Sequence, residues 1–200
     1  VHPSEIEEMN EAFLEYMKEQ AKWEKTVAIG EIGLDYYWEK DKKAQENQKY
    51  WFTRQLQLAK EVHLPVIIHS RDAAADTMQV MKDNQASEIS GVIHCYSYSK
   101  EMALEFIKMG YYIGIGGVVT FNNAKKLVET VEAIPLERIL VETDCPYMAP
   151  EPYRGKRNSS LYLPYVVEKI AKIKGISKEE VERVTEENAY QLFFKVKKES

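Results

Sequence analysis

Five short apolar runs, four of them closing on or just before an acid or an imidazole, recur along this chain with amphipathic helical stretches between them. That alternation leaves the chain few folds. The runs are Thr26-Val27-Ala28-Ile29-Gly30-Glu31, Val66-Ile67-Ile68-His69, Gly91-Val92-Ile93-His94, Tyr111-Tyr112-Ile113-Gly114-Ile115 and Arg138-Ile139-Leu140-Val141-Glu142. Each is short enough for a strand buried on both faces. Between them, Phe52, Leu56, Ala59 and Val62 fall on one helical face, residues 72–83 read as helical, Met102, Phe106 and Ile107 repeat at helical spacing, and so do Leu127, Val128 and Val131. Ser4-Glu5-Ile6-Glu7 reads as a capping box opening a helix through Ile6, Met9, Phe13 and Met17. Ser177-Lys178-Glu179-Glu180 opens the last helix, expected to bury Val181, Val184, Leu192 and Phe193. Strand and helix in strict alternation give βαβ units and a parallel sheet covered on both faces. No composition break interrupts the series, so residues 1–200 are expected to form one domain.

Composition narrows the function classes. With 44% apolar and 30% charged residues the chain is neither disordered nor fibrous. No run reaches the ~18 uninterrupted apolar residues of a membrane span. Two cysteines in 200 residues suit a reducing, cytoplasmic setting. A net charge of −5 argues against nucleic-acid binding by bulk electrostatics, although bound cations can supply the missing positive charge.

In parallel α/β folds, ligands bind at the carboxyl ends of the strands. Glu31, His69, His94 and Asp144, the last just beyond Thr143, all fall at such ends. Two imidazoles and two carboxylates make a ligand set for Zn²⁺, Mn²⁺, Mg²⁺ or a related cation, and one or two ions are expected. Burying that polarity without a cation would cost several kcal/mol per unpaired charge, on the order of a whole fold's stability. His2, at the presumed end of a preceding strand, is positioned to face the same site. By alternation Cys95 should point away from His94 as a small buried thiol, and His63 belongs to a helix end. The segment Tyr147–Ser160 lacks any periodicity and carries Arg154, Lys156 and Arg157 among tyrosines. With Arg71, two residues past His69, it suits a phosphate-bearing substrate.

Gly30-Glu31-Ile32-Gly33-Leu34-Asp35-Tyr36, Pro65-Val66-Ile67-Ile68-His69-Ser70-Arg71, His94-Cys95-Tyr96-Ser97 and Glu142-Thr143-Asp144-Cys145-Pro146-Tyr147, followed by Arg154-Gly155-Lys156-Arg157-Asn158, resemble the ordered signatures of TatD-type metal-dependent deoxyribonucleases. Val118-Val119-Thr120-Phe121, Asn123-Ala124-Lys125 and Glu187-Asn188-Ala189 fit as well. The resemblance implies a TIM-type (β/α)₈ barrel of the metal-dependent hydrolase kind and hydrolysis of DNA, including single-stranded DNA, with no membrane and no obligate protein partner. It implies that Glu31 bridges the metals, that His69 and His94 hold one of them, and that Asp144 holds the other and takes the proton of the attacking water. Asp144 and Glu31 are then the catalytic carboxylates, Glu142 supports the ligands from behind, and Arg71, Arg154, Arg157 and Tyr36 contact substrate phosphates.

Three features depart from the family pattern. No first strand with a His-x-His pair is present, Tyr98 stands where a glycine is usual, and Ser159-Ser160 replaces Glu-Pro. Five visible strands of eight lead to the expectation of a barrel incomplete at its N-terminus, with a compromised metal site. Two other readings follow: an amidohydrolase-type enzyme acting on a cyclic amide, lactone or ester, and an inactive fragment serving as an interaction module.

Overall fold

The five expected strands form, and so do the expected helices except the one predicted to open at Ser4; local capping moves the boundaries. The computed structural model describes residues 1–197, and the chain gathers into two units. One comprises Val1–Ile93 with Met109–Tyr111 and the stretch from Tyr190; the other comprises His94–Lys108 and Tyr112–Ala189.

In the first unit, the box at Ser4 does not open a long helix. Pro3–Glu8 is a 3₁₀ segment, and the α-helix α1 (Glu11–Ala21) starts at Asn10, whose side chain accepts the Phe13 N–H. Asn10 takes the cap because its amide oxygen reaches the third N–H of the turn, which satisfies an otherwise orphaned donor. Strand β1 (Ile29–Asp35) begins later and runs further than the sequence pattern indicates, so Glu31 lies inside it and Asp35 ends it. Helix α2 (Lys42–Val62) is capped by Asp41 and terminated by His63 in the left-handed conformation. Strand β2 (Val66–Arg71), helix α3 (Ala74–Asp83) and strand β3 (Gly91–Ile93) follow, and β1, β2 and β3 pair in parallel in that order. Ile32, Leu34, Phe52, Leu56, Ile68 and Met81 are fully buried. A further apolar cluster, Ile6, Met9, Leu14, Trp51 and Leu58, packs α1 against α2.

The second unit holds α4 (Lys100–Lys108), β4 (Tyr112–Ile115), α5 (Lys125–Ala133), β5 (Ile139–Val141), α6 (Leu163–Lys174) and most of α7 (Lys178–Leu192). β4 and β5 pair in parallel, and Phe106, Ile113, Ile115, Val131, Ile139, Ile170 and Val181 are buried to 1% exposure or less. Buried Asn188 donates to the carbonyls of Leu136 and Ile139, tying α7 to the start of β5. The box at Ser177 does cap α7, its hydroxyl accepting the Glu180 N–H, whereas Phe193 lies past the helix and is half-buried. Residues 142–159 contain no helix or strand, as the lack of periodicity there indicates. Among the described residues no helix is long and apolar enough to cross a membrane.

Candidate metal centre

In the first unit Glu31 and His69 come together at an irregularity in the strand pairing. Ile29 pairs with Val66 but Ile32 with Ile68, so β1 carries one extra residue across Gly30 and Glu31. Such a bulge re-aims a side chain, and Glu31 Oε2 lies 3.7 Å from His69 Nδ1. Gly33 makes the approach possible. Its φ is +139°, and a Cβ there would lie 1.9 Å from the His69 carbonyl oxygen, so only glycine fits. The other imidazole nitrogen, Nε2, donates to Asp35 Oδ2 at 3.0 Å. Asp35 is held on every side: Gln48 on α2 accepts its backbone N–H, and its Oδ1 accepts the N–H groups of Tyr37 and Trp38.

His2 joins this group, its ring edge-on to His69 with centroids 4.3 Å apart. One donor atom from each of His2, Glu31 and His69 falls within 4.8 Å of the others. Burial, and secondarily the neighbouring His69, hold the His2 pKa below that of an ordinary imidazole. Its Nδ1 accepts the Ser4 backbone N–H. A neutral ring that accepts at Nδ1 carries its hydrogen on Nε2, so in this setting His2 is a hydrogen-bond donor, and ligating a cation would require it to give up that hydrogen or the Ser4 contact.

The second unit repeats the arrangement. β3 stops at Ile93, and His94 Nδ1 donates to Glu142 Oε2 at 2.7 Å while its Nε2 stands 3.7 Å from Asp144 Oδ1. Gly114 on β4 clears the space for Glu142, since a Cβ there would sit 2.5 Å from the carboxylate. Burial opposes charge on His94, but Asp144 and Glu142 outweigh it and raise the pKa far above the ordinary imidazole value. Cys95 departs from the expected orientation. Its φ is +45°, so strand alternation has already ended, and its Sγ lies within 4.8 Å of donor atoms of His94 and Glu142. Its N–H donates to Glu142 Oε1 at 2.6 Å, and burial above all pushes the thiol up to about 11, so it stays protonated.

Two donors each about 2.1 Å from one ion lie about 3–4 Å apart, and both 3.7 Å separations meet that condition. Ligating imidazoles hand their second N–H to a carboxylate or carbonyl, as both histidines do. The donor set is therefore suited to a divalent cation in each unit.

Arg71 ends β2 with its guanidinium 3.9 Å from the centre of the Tyr37 ring. Arg154 lies over Phe121 at 4.2 Å, and Arg157 is exposed. Tyr36 directs its hydroxyl to Asp76 at 2.8 Å, and burial with that carboxylate raises its pKa. Asp35 escapes a reading of strand ends because the β1 boundary lies four residues beyond Glu31. The signal that could have found it is the Asp35-Tyr36-Tyr37 turn following a buried strand.

A family profile described as TatD related DNase matches residues 1–194. The chain is 48% identical over 192 residues to "Uncharacterized metal-dependent hydrolase YabD" of Bacillus subtilis (strain 168), covering 96% of this chain and 74% of that protein. It is 34% identical over 198 residues to "3'-5' ssDNA/RNA exonuclease TatD" of Pantoea vagans (strain C9-1), covering 96% and 75% respectively. Its structure superposes with a TM-score of 0.87 on the crystal structure of YjjV, a TatD homologue from Escherichia coli K12, at 30% identity, covering 97% of this chain and 74% of the other. The fold is thus the α/β type of these barrel hydrolases, with five strands among the described residues.

Proposed function

The chain belongs to the TatD family of metal-dependent hydrolases, and from that premise we propose that it hydrolyses phosphodiester bonds in nucleic acid, single strands in particular. The observation that carries this reading is the His94 setting: Glu142 fixes Nδ1, and Nε2 is left facing Asp144 at 3.7 Å. The sequence of the Pantoea relative named as an exonuclease supports the choice of substrate.

In the proposal Glu31 and His69 supply donors in the first unit, and His94 and Asp144 in the second. A divalent cation bound there supplies Lewis acidity toward a phosphoryl oxygen and lowers the pKa of water toward neutrality. Asp144, the most open of these carboxylates at 39% exposure, accepts the proton of the attacking water at its carboxylate oxygen. Glu142 and Asp35 keep the two imidazoles in fixed tautomers. Arg71, Arg154 and Arg157 contribute positive charge against substrate phosphates, with planar forks that match phosphate oxygens. Tyr36, whose hydroxyl is engaged by Asp76, is the further candidate for contact with a substrate phosphate.

The test is cleavage of an end-labelled single strand by the full chain with Mn²⁺ or Mg²⁺. Asp144→Asn should lower turnover by about 10²–10⁴-fold with an unchanged circular dichroism spectrum. Cleavage by that variant at the wild-type rate overturns the assignment of the base. Hydrolysis of lactones or cyclic amides with no cleavage of any nucleic acid overturns the nuclease reading.

A further inference from the structure

Immediately past the end of β1 the chain turns through Tyr36-Tyr37-Trp38, and two of these aromatics stand in solvent. Trp38 is 72% exposed and Tyr37 44%. Their rings meet edge to face, 4.7 Å between centroids and 87° between planes. The Arg71 guanidinium covers the Tyr37 ring at 3.9 Å and lies 5.8 Å from the Trp38 ring, and Lys40 lies 5.7 Å from the centre of the Tyr37 ring. An indole held in water forgoes a large apolar burial, one of the largest any side chain has to offer. Trp23 is also exposed, at 63%, but it follows α1, and among the described residues no cation lies over its ring. What sets Trp38 apart is its setting of cations and its tie to the metal-facing histidine.

That tie is a single carboxylate. Asp35 Oδ1 accepts the N–H groups of Tyr37 and Trp38 at 3.0 and 3.1 Å, and its Oδ2 accepts the His69 Nε2–H at 3.0 Å. The turn that presents the aromatics and the imidazole that faces Glu31 are therefore fixed by the same buried group. We propose that Trp38, Tyr37 and Arg71 form a nucleobase-stacking subsite, the indole taking the face of one base and Arg71 with Lys40 the adjoining phosphate, held in register with His69 by Asp35. The inference rests on the nuclease reading and specifies how that enzyme grips a single strand. Aromatic faces stack on any base, and cations beside them follow the backbone, so the subsite would be tolerant of sequence.

The experiment compares octathymidylate with an abasic deoxyribose-phosphate strand of equal length. Binding is followed by fluorescence anisotropy in the Asp144→Asn background with Mn²⁺, so that the strand is held without being cut. Trp38→Ala should weaken octathymidylate binding roughly tenfold and the abasic strand less than about twofold. Trp38→Phe should restore octathymidylate affinity to within about threefold. Arg71→Gln should weaken both strands and lower the salt slope by about one. Equal loss on both strands for Trp38→Ala, or no loss on either, overturns the subsite while leaving the nuclease reading intact. A wild-type chain that cuts no single strand, with no octathymidylate binding in the Asp144→Asn background, removes the nuclease reading and the subsite together.

Discussion

His69 and His94 occupy different units of the molecule yet are held the same way. Each hands one ring nitrogen to a shielded carboxylate, Asp35 at 5% exposure and Glu142 at 15%, and turns the other toward an open one, Glu31 at 36% and Asp144 at 39%. The difference lies in which nitrogen is held: Nε2 in His69 and Nδ1 in His94. A buried acceptor fixes the tautomer, so the first histidine presents Nδ1 and the second Nε2. The glycines differ too. Gly33 gives way to a backbone carbonyl, whereas Gly114 gives way to the end of a side chain that can swing aside. A Cβ at Gly33 would meet backbone, and one at Gly114 a side-chain carboxylate.

The largest expected effect separates those glycines. Gly33→Ala forces a Cβ against the His69 carbonyl at a φ unsuited to alanine and should cost about 2–4 kcal/mol in denaturant unfolding. Gly114→Ala should cost less stability but displace Glu142 and weaken cation binding; equal destabilisation by the two would break the contrast. Next come the two orienting carboxylates. Asp35→Asn and Glu142→Gln should each lower Mn²⁺ or Zn²⁺ affinity by about 10–100-fold in calorimetric titration. A variant with wild-type affinity would show that its carboxylate does not orient the imidazole.

The smallest effect concerns protons. His94 has a raised pKa in the folded protein, so its charge stabilises the metal-free fold fully below the ordinary imidazole range, and that stabilisation fades only as pH rises through the elevated folded value. Cation uptake at this ring therefore releases a proton over a pH range in which an ordinary imidazole would already have lost it. Titrations in buffers of different ionisation enthalpy should show that release, reduced in Glu142→Gln. An identical proton count in wild type and variant would uncouple His94 from Glu142.

Much of this was legible beforehand. The βα alternation, the strands at Val66 and Gly91, and the paired histidines follow from hydrophobic periodicity, which depends on neighbours a few residues away. Asp35 and the orientation of Cys95 did not follow. A strand boundary four residues further on and a left-handed φ of +45° at Cys95 are decided by contacts such as Gln48 to Asp35 and Cys95 N–H to Glu142, whose partners are 13 and 47 residues apart. Sequence pattern marked Ser4 and Ser177 alike as caps; only the second is one, because Ser4 lies inside a 3₁₀ stretch capped by His2, in which Glu5 leaves helical φ/ψ, and Asn10 begins the helix.

The amino-acid sequence by itself determined which residue types stand near the strand ends, and hence the cation chemistry and the hydrolase family. Tertiary structure alone decided which nitrogen of each imidazole is held by a shielded carboxylate and which is turned toward an open one. It also decided that Trp38 stands in solvent beside Arg71. Residue identity is local information, whereas a tautomer, a burial and a stacking contact each need a partner brought close by the fold.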